Sequence, residues 1–173
     1  MFFPSHYKKN RLVPIPKEYL NGQGLGNLAD MRYGFRTIAA CGCGVLAVYN
    51  AMIYKKLDPD FAKIARYTEL TAAPLGALCG TFPFSMKRVL RHFGVDNKMT
   101  RSMKKLNSAK AGVVAFWTKY PFLSGGHYFF YVKGEDGKIT IYNRYSNRDR
   151  AYVVDRLEEE IPKHCLIVGN IIL

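Results

Sequence analysis

An apolar run, Val45-Leu46-Ala47-Val48-Tyr49-Asn50-Ala51-Met52-Ile53, follows directly on Gly42-Cys43-Gly44. It reads as a buried helix over about residues 43–56, with positions 45, 48, 49, 52 and 53 forming a wide apolar stripe. A helix of this kind needs a domain around it. At 173 residues, 49 % hydrophobic and 23 % charged, the chain is large enough to bury a core as one globular domain and is too apolar to be disordered. The run is broken by Tyr49 and Asn50 and falls short of a membrane span.

Residues 1–30 are rich in Pro, Gly and Asn (Pro14, Pro16, Gly22, Gly24, Gly26) and read as an irregular N-terminal arm, leaving 31–173 as the domain. Asp58-Pro59 has the form of a helix start, aspartate as N-cap and proline in the first turn, with Phe61, Ile64 and Ala65 on the inner face. Gly76–Pro83 reads as a loop. Ser85 starts a helix with Met86, Val89, Leu90 and Phe93 inward, and Gly94 ends it. A shorter helical segment is expected over Ser102–Ala109.

Beyond that point the period changes. Residues 112–117 and 127–132 read as strands, and Asp136-Gly137 marks a tight hairpin into Ile139-Thr140-Ile141-Tyr142. Residues 151–163 give mixed signals, and Cys165–Leu173 is a closing strand. Helices first and an antiparallel sheet second predict an α+β fold.

Four cysteines, Cys41, Cys43, Cys79 and Cys165, are spaced neither as a disulfide framework nor as a zinc site, so reduced thiols and no metal are expected. The formal charge of +13 is large for the chain's size. Between Lys87 and Lys110 the residues Lys87, Arg88, Arg91, Lys98, Arg101, Lys104, Lys105 and Lys110 face only Asp96. They read as the solvated face of amphipathic helices, with an anionic partner or nucleic acid as the sharper alternative. No helix-turn-helix, zinc-finger or aromatic-basic pattern supports nucleic acid. The start, Met1-Phe2-Phe3-Pro4-Ser5-His6-Tyr7-Lys8-Lys9, lacks the order of a signal peptide, so a cytoplasmic location is expected.

Cys43 stands at the start of the predicted helix, where the dipole and unpaired N–H groups favour a thiolate. Cys41 lies just outside it and is the weaker nucleophile. Gly125-Gly126-His127 opens a strand, and Asn143 ends the next one. In an evenly armed hairpin, Asn143 and His127 come to neighbouring strands about 5 Å apart between Cα atoms. The Asn143 side-chain oxygen then accepts from one imidazole nitrogen and holds the other toward the sulfur, with Asn147 and Asp149 as alternatives. Each residue also has a plainer reading: a packed cysteine, a structural histidine, a strand-end asparagine. Their order, thiol then imidazole then amide, is what nucleophilic catalysis requires.

On these residues the chain resembles the C39-like branch of papain-fold cysteine peptidases. The matching pieces are Gly42-Cys43-Gly44 with Ala47, Gly80-Thr81-Phe82-Pro83 before Met86-Lys87-Arg88-Val89-Leu90, Leu106-Asn107-Ser108-Ala109, Gly126-His127-Tyr128, Asp136-Gly137 and Tyr142-Asn143. The resemblance implies a helical lobe packed on an antiparallel sheet, with a cleft between them. It further implies Cys43 as nucleophile, His127 as base and acid, and Asn143 where the family commonly has Asp. Family members carry an oxyanion glutamine upstream of the nucleophile. Thr37 stands at that place here, and Gln23 in the arm is the chain's one glutamine, so both are oxyanion candidates. Val45 takes the place of a frequent family proline.

The expected activity is hydrolysis of a peptide or protein substrate of acidic character by a Cys-His-Asn triad through a thioester, without a cofactor. An acyltransferase on the same fold and a catalytically silent binding module are the alternatives.

Overall fold

A computed structural model describes residues 6–118 and 126–173. Residues 1–5 of the arm and Gly125 beside the histidine lie outside the described residues. The described arm contains two single-turn helices, α1 (Tyr7–Asn10) and α2 (Gly26–Ala29), joined by irregular backbone. A two-residue ladder, β1 (Arg32–Tyr33) and β2 (Arg36–Thr37), leads into α3 (Ile38–Cys41), α4 (Cys43–Tyr54), α5 (Phe61–Thr71), a distorted turn α6 (Pro74–Ala77) and α7 (Met86–His92). Then follow β3 (Asn97–Thr100), α8 (Met103–Ser108), β4 (Ala111–Thr118), β5 (His127–Lys133), β6 (Ile139–Tyr142), β7 (Tyr152–Val154) and β8 (Cys165–Ile172). The last six strands form one antiparallel sheet in the order β3-β8-β4-β5-β6-β7. The fold is α+β, with α1 to α7 preceding the six-stranded sheet and α8 between its first two strands in chain order.

α4 is buried on all sides, not along a stripe: Val45, Leu46, Ala47, Val48, Tyr49, Asn50 and Ala51 are each at most 1 % exposed. A helix so enclosed is the centre of its domain. One face of the sheet, through Val113, Ala115, Tyr128 and Phe130, shares its core. The opposite face, through Val114, Phe116, Phe129 and Tyr131, packs on Leu106 and Leu157. Alternation along β4 and β5 thus serves two cores, which is why both strands read as continuous apolar runs.

Two expectations are corrected. The N-cap of α5 is Asp60, whose Oδ1 accepts from the Lys63 N–H at 3.0 Å, not Asp58. The strand β3 went unread because Lys98 and Met99 are exposed and no apolar alternation marks it; it is a short edge strand with a lysine, a form that resists edge pairing. No helix among the described residues is long and apolar enough to cross a membrane.

Candidate active site

A cavity of about 1010 Å³ opens where the start of α4, the loop at 78–84 and the facing ends of β4 and β5 meet. Cys43 and His127 both line it, as do Cys41, Cys79, Gln23 and Tyr128. Gly42, with φ −85°, joins α3 to α4, so Cys43 begins the longer helix. Gly44 is required by close packing: a Cβ there would lie 2.5 Å from the Thr81 hydroxyl oxygen. Thr81 is itself fixed, its hydroxyl 3.0 Å from the Tyr33 hydroxyl and its carbonyl accepting from the Tyr128 hydroxyl at 3.0 Å. Thr81 and Tyr128, both lining the cavity, are thereby tied to each other and, through the Thr81 hydroxyl, to Tyr33.

The thiol is not depressed as the helix start alone would suggest. Burial pushes Cys43 up to about 11. The backbone N–H groups of Tyr128, Gly44 and Cys43 pull the other way and only partly offset it. Cys41 is likewise pushed up to about 11, first by burial and then by Cys43, with Arg36 opposing. It lies within α3, and its Sγ donates to the Thr37 carbonyl at 3.5 Å.

β6 pairs with β5 only as far as Tyr142 opposite Phe130, so Asn143 does not stand across from His127. Instead Asn143 turns with φ +55°, and its backbone carbonyl meets His127 Nε2 at 2.5 Å. The expected contact from its side chain is replaced by one from its main chain. The consequence for the ring is the same. A carbonyl only accepts, so Nε2 carries the proton and Nδ1 keeps a lone pair. Burial pulls His127 down to about 4, with the Arg144 charge adding to this and the Asn143 hydrogen bond opposing it. At neutral pH the pair is thus thiol and imidazole, both uncharged.

The side chain of Asn143 is held by the arm. Its Oδ1 accepts from the Gln23 N–H at 3.2 Å, its Nδ2 donates to Gln23 Oε1 at 3.1 Å, and its own N–H donates to Asn21 Oδ1 at 2.8 Å. Gln23 Nε2 in turn donates to the carbonyls of Ile38 and Ala39, at 3.2 and 3.1 Å. Gln23, 3 % exposed, therefore clasps the turn that holds the imidazole to the short helix that leads into Cys43. Gly24 N–H to the Ser146 carbonyl (2.7 Å) and Asn50 to both backbone groups of Leu20 extend the strap.

Of the two oxyanion candidates, Gln23 reaches the cavity but both its amide protons face backbone carbonyls. Thr37 is paired with Arg32 across the small ladder and does not line the cavity. The clasp role of Gln23 was missed; its signal was the isolated glutamine among glycines. Asn147 and Asp149 do not line the cavity, and neither does any of the basic residues between Lys87 and Lys110. Among the described residues no cluster of three His, Cys, Asp or Glu side chains is placed to hold a metal ion.

The buried neutral imidazole has a thermodynamic signature. Its folded value lies below the ordinary 6.5, so between pH 6.5 and about 4 the unfolded chain binds the proton and the folded one does not. Stability from this group is complete above 6.5 and is lost as pH falls toward 4. Urea unfolding from pH 7 to 4 should show a decline of up to a few kcal/mol that His127→Phe flattens; an unchanged slope in the variant would assign the decline elsewhere.

No protein-family model matches the chain, and no curated protein matches it.

Proposed function

We propose that the chain is a cysteine hydrolase of papain-like, C39-like type that cleaves peptide bonds through a thioester on Cys43. The observation that carries the reading is the Nε2–H of His127 fixed on the Asn143 carbonyl. It leaves the Nδ1 lone pair for the cavity that the thiol shares. Tyr128, which follows the histidine, lines the same cavity as Cys43, and its main-chain N–H opposes the burial that raises the thiol, which supports the reading.

From a neutral resting pair, the thiol proton passes to His127 Nδ1 as Sγ bonds to the scissile carbonyl carbon. The oxyanion takes main-chain N–H donors beside Sγ, from Cys43 and Gly44, in place of a side-chain amide. The C–N bond breaks, the imidazolium proton leaves on the amine, and the acyl group stays on sulfur. Water, deprotonated by the same nitrogen, attacks the thioester; the carboxylic acid departs and the thiol regains its proton. Asn143 supplies orientation through its carbonyl, and Gln23 holds Asn143.

Incubation with a mixed peptide library, read by mass spectrometry, should give new C-termini that depend on Cys43. Added hydroxylamine should trap the acyl group as hydroxamate. Products formed only with an added amine would instead identify an acyltransferase. An absence of both, with peptides still bound, would identify a binding module, the reading favoured by the engaged Gln23 amide.

A further inference from the structure

Among the described residues, Arg36 is the single charged residue lining the cavity, and no Asp or Glu lines it. The guanidinium is exposed, and among the described residues no carboxylate pairs with it. Nor do residues 1–5 and 119–125 contain an Asp or Glu. β2 carries Arg36 directly into α3 and so to the thiols, and its charge is felt at Cys41.

The surroundings add positive charge and apolar surface. Phe82 and Phe84, 5.4 Å apart between ring centroids, line the cavity while remaining 48 % and 40 % exposed. Arg101 lies over Phe84 at 5.3 Å with no carboxylate partner among the described residues. Arg144, over Phe116 at 5.2 Å, differs in being paired with Glu160 at 3.0 Å. An unpaired cation at the wall of a partly apolar cavity recognises an anion with little competition from the protein itself.

We propose that Arg36 is the specificity-determining residue of this cavity, binding a substrate carboxylate beside an apolar side chain seated against Phe82 and Phe84. The substrates are then acidic peptides, read by this one arginine and not by the basic face of α7, β3 and α8. The inference rests on the hydrolase reading above, and its test separates the two.

The first arm needs no turnover. Alkylation of Cys43, followed by peptide mapping, compares anionic iodoacetate with neutral iodoacetamide, each rate referred to glutathione. A single nearby cation should favour iodoacetate by about fivefold at low salt. The preference should vanish in Arg36→Gln and invert in Arg36→Glu, both at an exposed position that leaves the core untouched. The second arm presents peptides with Glu, Gln or Lys near an apolar residue, each with a free and an amidated C-terminus. Wild type should favour Glu about tenfold in kcat/KM, and Arg36→Gln should remove that preference. A preference that follows the free C-terminus would make the terminal carboxylate the anion bound. Equal alkylation ratios in wild type and Arg36→Gln would overturn the proposal. Cleavage without acidic preference would also overturn it while leaving the hydrolase reading in place. A persisting alkylation contrast without any cleavage would sustain anion binding and remove the hydrolase.

Discussion

Cys43→Ala should lower peptide hydrolysis by about a millionfold in kcat, and His127→Ala by nearly as much, with the double variant no worse than either. The non-additivity matters because nucleophile and base act in one step. Cys41→Ala, which removes the neighbouring thiol in α3, should keep turnover. The neutral resting pair also predicts how the thiol reacts. With Cys43 pushed up to about 11 and His127 pulled down to about 4, alkylation by iodoacetamide should be slow at pH 7. It should rise about tenfold per pH unit toward 11, since only the thiolate attacks. A thiolate–imidazolium pair would instead give a rate plateau reaching down into the acidic range. Turnover needs the imidazole as base, so kcat/KM should hold down to about pH 4 before falling. An acid limb near 6.5 would show that the ring is solvated and the buried neutral pair is wrong.

Much of this candidate site was legible because its residues sit at element boundaries. Cys43 and His127 each open an element, marked by Gly42, Gly44 and Gly126, and such punctuation survives in one dimension. The helices and the strands from 112 onward were legible by period, since α4 and the central strands must bury their apolar residues whatever surrounds them. Asn143 meets His127 by a different atom from the one the sequence suggests. The hairpin signal at Asp136-Gly137 located it, but the ladder ends at Tyr142, and a positive φ brings the carbonyl rather than the amide to the imidazole. Where a main-chain atom does the work, residue type carries no signal. The sign of the Cys43 shift was hidden likewise. A helix start is visible in sequence, whereas the desolvation that outweighs it depends on the sheet closing over the thiol. β3 had no apolar period to announce it, and the arm none either: its order comes from Asn21, Gln23 and Gly24 meeting a turn more than a hundred residues away.

That long-range strap makes Gln23 the residue whose loss should cost most after the proposed nucleophile and base. Gln23→Ala removes the acceptor of Asn143 Nδ2 and the side-chain donor to the carbonyls of Ile38 and Ala39, of which Ile38 keeps the Gly42 N–H, and should destabilise the fold by about 2–4 kcal/mol. Loosening alone does not establish a positioning role, so the control is Asn50→Ala. Asn50, inside α4, ties the same strap through Leu20, and its side chain bonds neither Asn143 nor the carbonyls of α3. Both variants should unfold earlier. Only Gln23→Ala should lower kcat, by about a hundredfold with KM little changed, because a small displacement of a reacting group is enough for that loss. The imidazole ¹⁵N shifts give the direct readout: wild type and Asn50→Ala should show His127 as the Nε2–H tautomer, and Gln23→Ala a mixture. If both variants lost kcat equally and kept one tautomer, Gln23 would be a structural strap and nothing more. With the mixture confined to Gln23→Ala, the arm becomes part of the catalytic apparatus, acting through the Asn143 carbonyl on His127 Nε2.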